Sequence, residues 1–83
     1  MTEINYSRLR SLTARRLAAA LERDGFHLVR QAGSHRFYKH ADGRRATLTF
    51  HHPSDTFPFK TLRSMIEIQA QWQWEDLERL NLV

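Results

Sequence analysis

The spacing of the hydrophobic positions changes near residue 25. Before it, apolar side chains recur three and four positions apart, at Ala14, Leu17, Ala18 and Leu21. This period predicts an amphipathic helix, and Thr13 is suited to cap its N-terminus. The pair Asp24-Gly25 should end the helix, because glycine adopts the left-handed backbone conformation that other residues resist.

After Gly25 the apolar positions alternate, as is typical of strands. Three strands are predicted, Phe26–Gln31, His35–His40 and Arg45–Phe50. A Gly33-Ser34 turn separates the first two, and Asp42-Gly43 is a hairpin signal between the last two. In the third strand, three side chains should face the core: Ala46, Leu48 and Phe50. Three others should face away from it: Thr47, Thr49 and His51.

The second half of the chain returns to helical spacing. Pro53 and Pro58 bracket a loop, and a helix is predicted from about Lys60 to Ala70. Its inner face would carry Leu62, Met65, Ile66 and Gln69. A shorter helical segment should follow the two tryptophans, with Leu77 and Leu80 on one face.

The order of these elements predicts a small α+β fold of the type α-β-β-β-α. An antiparallel three-stranded sheet would carry helices on one face, with an extra short helix at the C-terminus. The other face of the sheet would stay open to solvent or to a ligand. Residues 1–12 show no clear period, so we expect a loosely held N-terminal extension before a single domain at 13–83.

The amino-acid composition excludes several kinds of site and of protein. The chain has 83 residues, enough for one domain, and its 41% hydrophobic content favours a folded protein. It has no cysteine, which excludes disulfides, cysteine zinc sites and a thiol nucleophile. No run approaches the roughly 18 apolar residues of a membrane span, and no signal-peptide pattern opens the chain. We therefore expect a cytoplasmic protein without a membrane partner.

Positive charge is concentrated in the first half of the chain. Residues 8–45 carry a balance of +7, residues 46–83 a balance of −2, and eleven of the thirteen cations are arginine. The planar arginine fork suits phosphate, so this half is a candidate nucleic-acid footprint. The strands and hairpin supply the candidate phosphate contacts, Arg30, Arg36, Lys39, Arg44 and Arg45. The alternative is a solvated basic face with no ligand.

His35 is the strongest candidate for chemistry. It follows Gly33-Ser34 at the start of a predicted strand, so the backbone would hold it in place. Imidazole can take or give a proton near neutral pH, and cations surround this position in the sequence. A strand histidine considered alone is more often structural. Ser34 can orient His35 or a phosphate, or simply serve the turn.

The other histidines give weaker signals. His51 could reach the open face of the sheet and assist His35. His51 and His52 are adjacent, so on a strand they would point to opposite faces and could not chelate one metal ion. There is no cysteine and no acidic ligand cluster, so we expect no metal and no cofactor.

Several short segments, in this order and spacing, resemble one family. They are Leu12-Thr13-Ala14-Arg15, Asp24-Gly25-Phe26, Leu28-Val29-Arg30-Gln31, Gly33-Ser34-His35, Phe37-Tyr38, Asp42-Gly43-Arg44-Arg45, His52-Pro53 and Thr61-Leu62-Arg63-Ser64-Met65-Ile66. Over residues 12–77 the chain is similar to HicA-type toxins, the mRNA interferases of bacterial toxin–antitoxin pairs. Phe50 stands where many members have proline, and Lys60 where many have glycine.

The resemblance implies a fold like the double-stranded-RNA-binding domain and metal-independent cleavage of mRNA. It also implies neutralisation by a HicB-type antitoxin, and it places the family's catalytic histidine on His35, with Gly33 and Ser34 as its turn. The resulting hypothesis is a ribonuclease in which His35 acts as general base on a ribose 2′-hydroxyl. One alternative is a non-catalytic RNA-binding module of the same fold. Another is a basic subunit whose arginines serve only an acidic protein partner.

Overall fold

The computed structural model describes residues 3–83. A short 3₁₀ turn at Tyr6–Leu9 precedes helix α1 (Ala14–Arg23). Three strands follow, β1 (Phe26–Ala32), β2 (His35–His40) and β3 (Arg45–Thr49), paired antiparallel in the order β1-β2-β3. Helix α2 (Phe59–Arg63) continues as a wider helical segment, Ser64–Gln69, and α3 (Trp74–Arg79) ends the fold. The predicted α+β architecture is confirmed.

The first helix begins and ends where the sequence predicts. The Thr13 hydroxyl accepts a hydrogen bond from the Arg16 amide at 3.3 Å, which satisfies one of the free N–H groups of the first turn. Gly25 follows the helix with φ +102°. A Cβ atom at this position would lie 2.8 Å from Nε2 of His40, so the chain needs glycine here both for its backbone angle and for space.

The β1–β2 connection is a two-residue turn, with Ala32 paired to His35. Gly33 has φ +59° and Ser34 keeps a negative φ, which is the pattern of a type II′ hairpin turn. A bulge interrupts the β1–β2 register between Leu28 and Arg30. The predicted strands are confirmed to within one residue at their ends.

The helices cover one face of the sheet. The side chains of Tyr38, Ala46, Leu48 and Phe50 are buried there, whereas Thr49 on the opposite face is exposed. This confirms the predicted alternation within β3; the strand ends at Thr49, so His51 lies beyond it. The helical half of the core includes Leu17, Leu62, Ile66, Leu77 and Leu80.

The segment before α1 differs from expectation. Leu9 and Leu12 are 0% and 1% exposed and belong to the same core, so a loosely held extension is wrong for this part of residues 1–12. Both leucines lie in a 3₁₀ turn or the loop after it, where a buried residue leaves no helical or strand period to detect. Whether residues 1–12 count as a separate extension stays a prediction.

The helix predicted over 60–70 exists, but its second half is wider than an α-helix. The Ala70 amide donates to the carbonyl of Met65, five residues back. In this segment the Gln69 side chain lies against the outer edge of β3. Its Oε1 accepts from the Thr47 amide at 2.7 Å, and its Nε2 donates to Ser64 Oγ at 3.1 Å. Gln69 therefore supplies a partner to an edge strand that would otherwise have an unpaired N–H.

No helix within residues 3–83 combines the length and the apolar character needed to cross a membrane.

Candidate functional site

The open face of the sheet carries the polar half of the strand alternation. On β2 it presents His35, Phe37 and Lys39. The register places Thr49, Thr47 and Arg45 of β3 opposite these three residues. The face is therefore mainly polar and basic, with the Phe37 ring in its middle, and His35 lies at the end nearest the β1–β2 turn.

His35 is fixed by its backbone and by one side chain. The Gly33-Ser34 turn sets its position, and the Ser34 carbonyl accepts from the Phe50 amide at 3.1 Å. The Nδ1 atom of the exposed imidazole lies 2.9 Å from Thr49 Oγ1. When Nδ1 carries the proton and donates it to Thr49, Nε2 has a free lone pair, which is the tautomer that a general base requires.

Thr49 is a site residue that sequence reasoning missed. Alternation alone placed it on the open face, without linking it to His35. The signal that links them is the hairpin register, because the Asp42-Gly43 turn sets which residue of β3 lies opposite His35.

Three of the five predicted phosphate contacts share the open face with His35. The Arg30 guanidinium lies 5.0 Å from the centre of the Phe37 ring, a cation–π distance. Lys39 and Arg45 are exposed and directly opposite each other across β2 and β3. Two like charges in this arrangement destabilise a sheet unless an anion lies between them.

Arg36 and Arg44 are placed differently. Arg36 pairs with Leu48 on the helix-covered side of the sheet, and its guanidinium lies 4.4 Å from the Phe50 ring centre. Arg44 is 18% exposed and turns inward, where it donates to both Asp42 and Asp24 and to the carbonyl of Ala70. Its contacts are those of a structural residue, so the structure does not bring Arg44 to the face with His35.

The carboxylate that holds Arg44 is almost buried. Asp24 is 8% exposed and accepts hydrogen bonds from Arg44, from Trp72 Nε1 at 2.8 Å and from Arg79 at 2.8 Å. Burial alone would raise the pKa of Asp24, but the bonds from Trp72, Arg79 and Arg44 outweigh it and lower the pKa. Asp24 thus joins the end of α1 to the β2–β3 loop and to the C-terminal part.

His51 lies beyond the end of β3, in a turn that Asp55 organises. One carboxylate oxygen of Asp55 accepts from the amides of His52 and His51, at 3.0 and 2.9 Å. These two backbone hydrogen bonds lower the pKa of Asp55. The described contacts of His51 are therefore backbone contacts, and a role as assistant to His35 stays a prediction.

His40 is a structural residue that joins the end of α1 to the β2–β3 turn. Its Nε2 lies 2.8 Å from the Asp24 carbonyl, and its Nδ1 accepts from the Asp42 amide at 3.0 Å. Its ring also packs edge-on against Phe26. Within residues 3–83, no three histidine, aspartate or glutamate side chains come together as a metal-binding group.

The fold and this face define a small α+β domain with a basic sheet surface and an exposed histidine. The family model described as the HicA toxin of bacterial toxin–antitoxin systems matches residues 14–72, more than half of the chain. The chain therefore belongs to the HicA toxin family, as its sequence motifs predict, and its partner class is an antitoxin. A comparison with curated proteins gave no match.

Proposed function

We propose that this protein is a metal-independent endoribonuclease that cleaves mRNA in the cytoplasm, with His35 as its general base. The observation that carries the proposal is the placement of His35, exposed on the open basic face with Nδ1 held by Thr49. Membership of a toxin family supports the proposal, because loss of mRNA is toxic to a cell.

The reaction uses the RNA's own hydroxyl as nucleophile. His35 Nε2 removes the proton of a ribose 2′-hydroxyl, and the 2′-oxygen attacks the adjacent phosphorus. The bond from phosphorus to the 5′-oxygen breaks, which leaves a 2′,3′-cyclic phosphate on one fragment and a 5′-hydroxyl on the other. Water supplies the proton that the leaving 5′-oxygen takes. General acid–base catalysis of this kind contributes about 10²–10⁴-fold, so we expect a slow enzyme.

The cations of the open face hold the RNA backbone in this mechanism. A phosphate bound between Lys39 and Arg45 would offset the repulsion between these two opposite cations. Arg30 lies beside Phe37, and together they offer a charged edge and a ring on which a base can stack. Arg36 and Arg44 are not part of the proposed contact set, since their guanidinium groups lie against the protein itself.

The proposed partner is a HicB-type antitoxin, which would neutralise the toxin by covering the open face. An acidic surface on the antitoxin would complement Arg30, Lys39 and Arg45. Such a partner would compete directly with RNA, because both would need the same cations.

The test is a cleavage assay in excess EDTA with wild type, His35→Ala and His27→Ala. His27 is a matched control, since it is an exposed strand histidine paired with Lys39 on the same face. We expect wild type and His27→Ala to cleave a labelled RNA and to leave DNA of the same sequence intact, because only RNA has the 2′-hydroxyl. His35→Ala should bind the RNA without cleaving it. Proteins that all bind RNA and never cleave it would instead indicate a binding module.

A further inference from the structure

A groove of about 390 Å³ lies beside His35, between the outer edge of β3 and the start of α2. Thr49 forms one wall, Lys60 and Thr61 form the other, and Met65 contributes the only apolar side chain among its described lining residues. Since Thr49 Oγ1 is also 2.9 Å from His35 Nδ1, the groove begins at the proposed general base.

The polar groups of the groove keep hydrogen-bonding capacity for a ligand. The side-chain amide of Gln69 is already hydrogen-bonded to Thr47 and Ser64. Ser64 Oγ accepts in that bond, so its own O–H stays available as a donor. Lys60 and Thr61 are exposed, and no carboxylate within residues 3–83 forms an ion pair with Lys60.

This chemistry matches a sugar–phosphate unit better than a base. Hydroxyl groups and an ammonium group are the side-chain partners of phosphate and ribose oxygens. Among the described residues that line the groove, none is acidic and none is aromatic, so a base would find no ring to stack on. The volume lies within the range of roughly 300–1,000 Å³ that small ligands occupy in proteins.

We propose that this groove binds the ribose-phosphate unit of the nucleotide next to the scissile bond, with Lys60 on its phosphate. The inference rests on the proposed ribonuclease function and extends it by a subsite. Bound in this way, the RNA backbone continues from the Lys39–Arg45 pair across His35 into the groove. Because the contacts are to sugar and phosphate, the subsite accepts all four bases alike.

The experiment measures RNA affinity in the His35→Ala background, where RNA is not consumed. A short single-stranded RNA is titrated by fluorescence anisotropy over a range of salt concentrations. Adding Lys60→Ala should weaken binding about fivefold at low salt. It should also make the slope of log affinity against log salt shallower by about 0.7, the value for one phosphate contact on a single strand. Lys60→Arg should restore both quantities.

Two further variants separate this subsite from general charge effects. Thr61→Ala removes a neutral hydroxyl, so it should weaken binding about twofold with the salt slope unchanged. Arg15→Ala removes an exposed cation from α1, on the helix side of the molecule, and should change affinity much less than Lys60→Ala does. Circular dichroism confirms that each variant is folded.

The outcomes separate the subsite from the function. If Lys60→Ala and Thr61→Ala leave affinity and slope unchanged while wild type cleaves RNA, the subsite is wrong and the ribonuclease stands. Equal losses from Lys60→Ala and Arg15→Ala also overturn the subsite, since they would reflect net charge alone. If no variant binds RNA and wild type does not cleave it, the proposed function fails and the subsite fails with it.

Discussion

Replacing Asp24 with asparagine should destabilise the protein and reduce its sensitivity to acid. The carboxylate has an 8% exposed side chain and accepts from Trp72 at 2.8 Å, from Arg44 at 3.0 Å and from Arg79 at 2.8 Å. These donors come from the β2–β3 loop, from the segment after α2 and from α3. Losing the charge therefore weakens contacts among parts of the chain that are far apart in sequence.

The structure allows the size of the effect to be worked out. Asparagine can turn its carbonyl oxygen toward Trp72 and Arg44, which leaves its NH₂ group facing Arg79. Arg79 is 52% exposed and can turn to solvent, so that pair contributes less than about 1 kcal/mol. Hydrogen bonds to a charged group contribute about 1.5–3 kcal/mol and neutral ones about 0.5–1.5. We expect a loss of about 2 kcal/mol for Asp24→Asn. For Asp24→Ala, which removes every acceptor, we expect about 3–5 kcal/mol.

The assay is urea unfolding followed by tryptophan fluorescence, near neutral pH and in acid. Since the pKa of Asp24 is lower in the folded state, its ionised form stabilises the fold above the unfolded pKa, and this stability is lost as pH falls through the folded pKa. The difference in the free energy of unfolding between wild type and Asp24→Asn should thus be largest near neutral pH and should disappear in acid. Glu78→Gln, an exposed change on α3, is the control. Equal stability near neutral pH, or a difference that persists in acid, would refute the reasoning.

Three other changes test the site and its supports. Thr49→Val should lower kcat about 2- to 10-fold without moving the melting temperature, since one hydrogen bond to His35 is lost; an unchanged kcat would contradict this. Gly33→Ala should lower the free energy of unfolding by about 1 kcal/mol, because its φ is +59°. An added Cβ meets no atom within 4 Å, so no steric clash adds to this cost. A stabilised variant would argue against the turn. Gln69→Leu leaves the Thr47 amide without its acceptor, so hydrogen exchange at that amide should be about 10-fold faster, and unchanged exchange would mean that the edge is protected otherwise.

The helices and strands of this fold could be predicted from the sequence because the apolar residues of each recur with a single helical or strand spacing. The α1 spacing, the alternation of β3 and the two glycine turns are local signals, and each agrees with the structure. Leu9 and Leu12 could not be recognised as core residues, since nothing in a 3₁₀ turn and its loop repeats. The wider helical segment before Ala70 has no local signal in the sequence either, and its Gln69 bonds the amide of Thr47, 22 residues away on an edge strand.

The candidate site was only partly predictable for a related reason. His35 could be found because its turn is adjacent in sequence. The Arg44 guanidinium is a typical phosphate contact, but it donates instead to partners 20 and 26 residues away and turns inward. Thr49 needed the hairpin register, which pairs it with His35 across 14 residues. Lys60 joins the same region only through the packing of α2 beside β3.

The most direct test of the central claim uses an RNA with one 2′-deoxynucleotide. The cleavage site of wild type is first mapped on an all-ribose strand in EDTA, and the 2′-hydroxyl is then removed only from the nucleotide on the 5′ side of that bond. If the RNA's own hydroxyl is the nucleophile and His35 its base, cleavage at that bond disappears while other sites in the strand are still cut. Continued cleavage at the modified bond would show that water attacks the phosphorus, and His35 would then not be the base for a ribose hydroxyl.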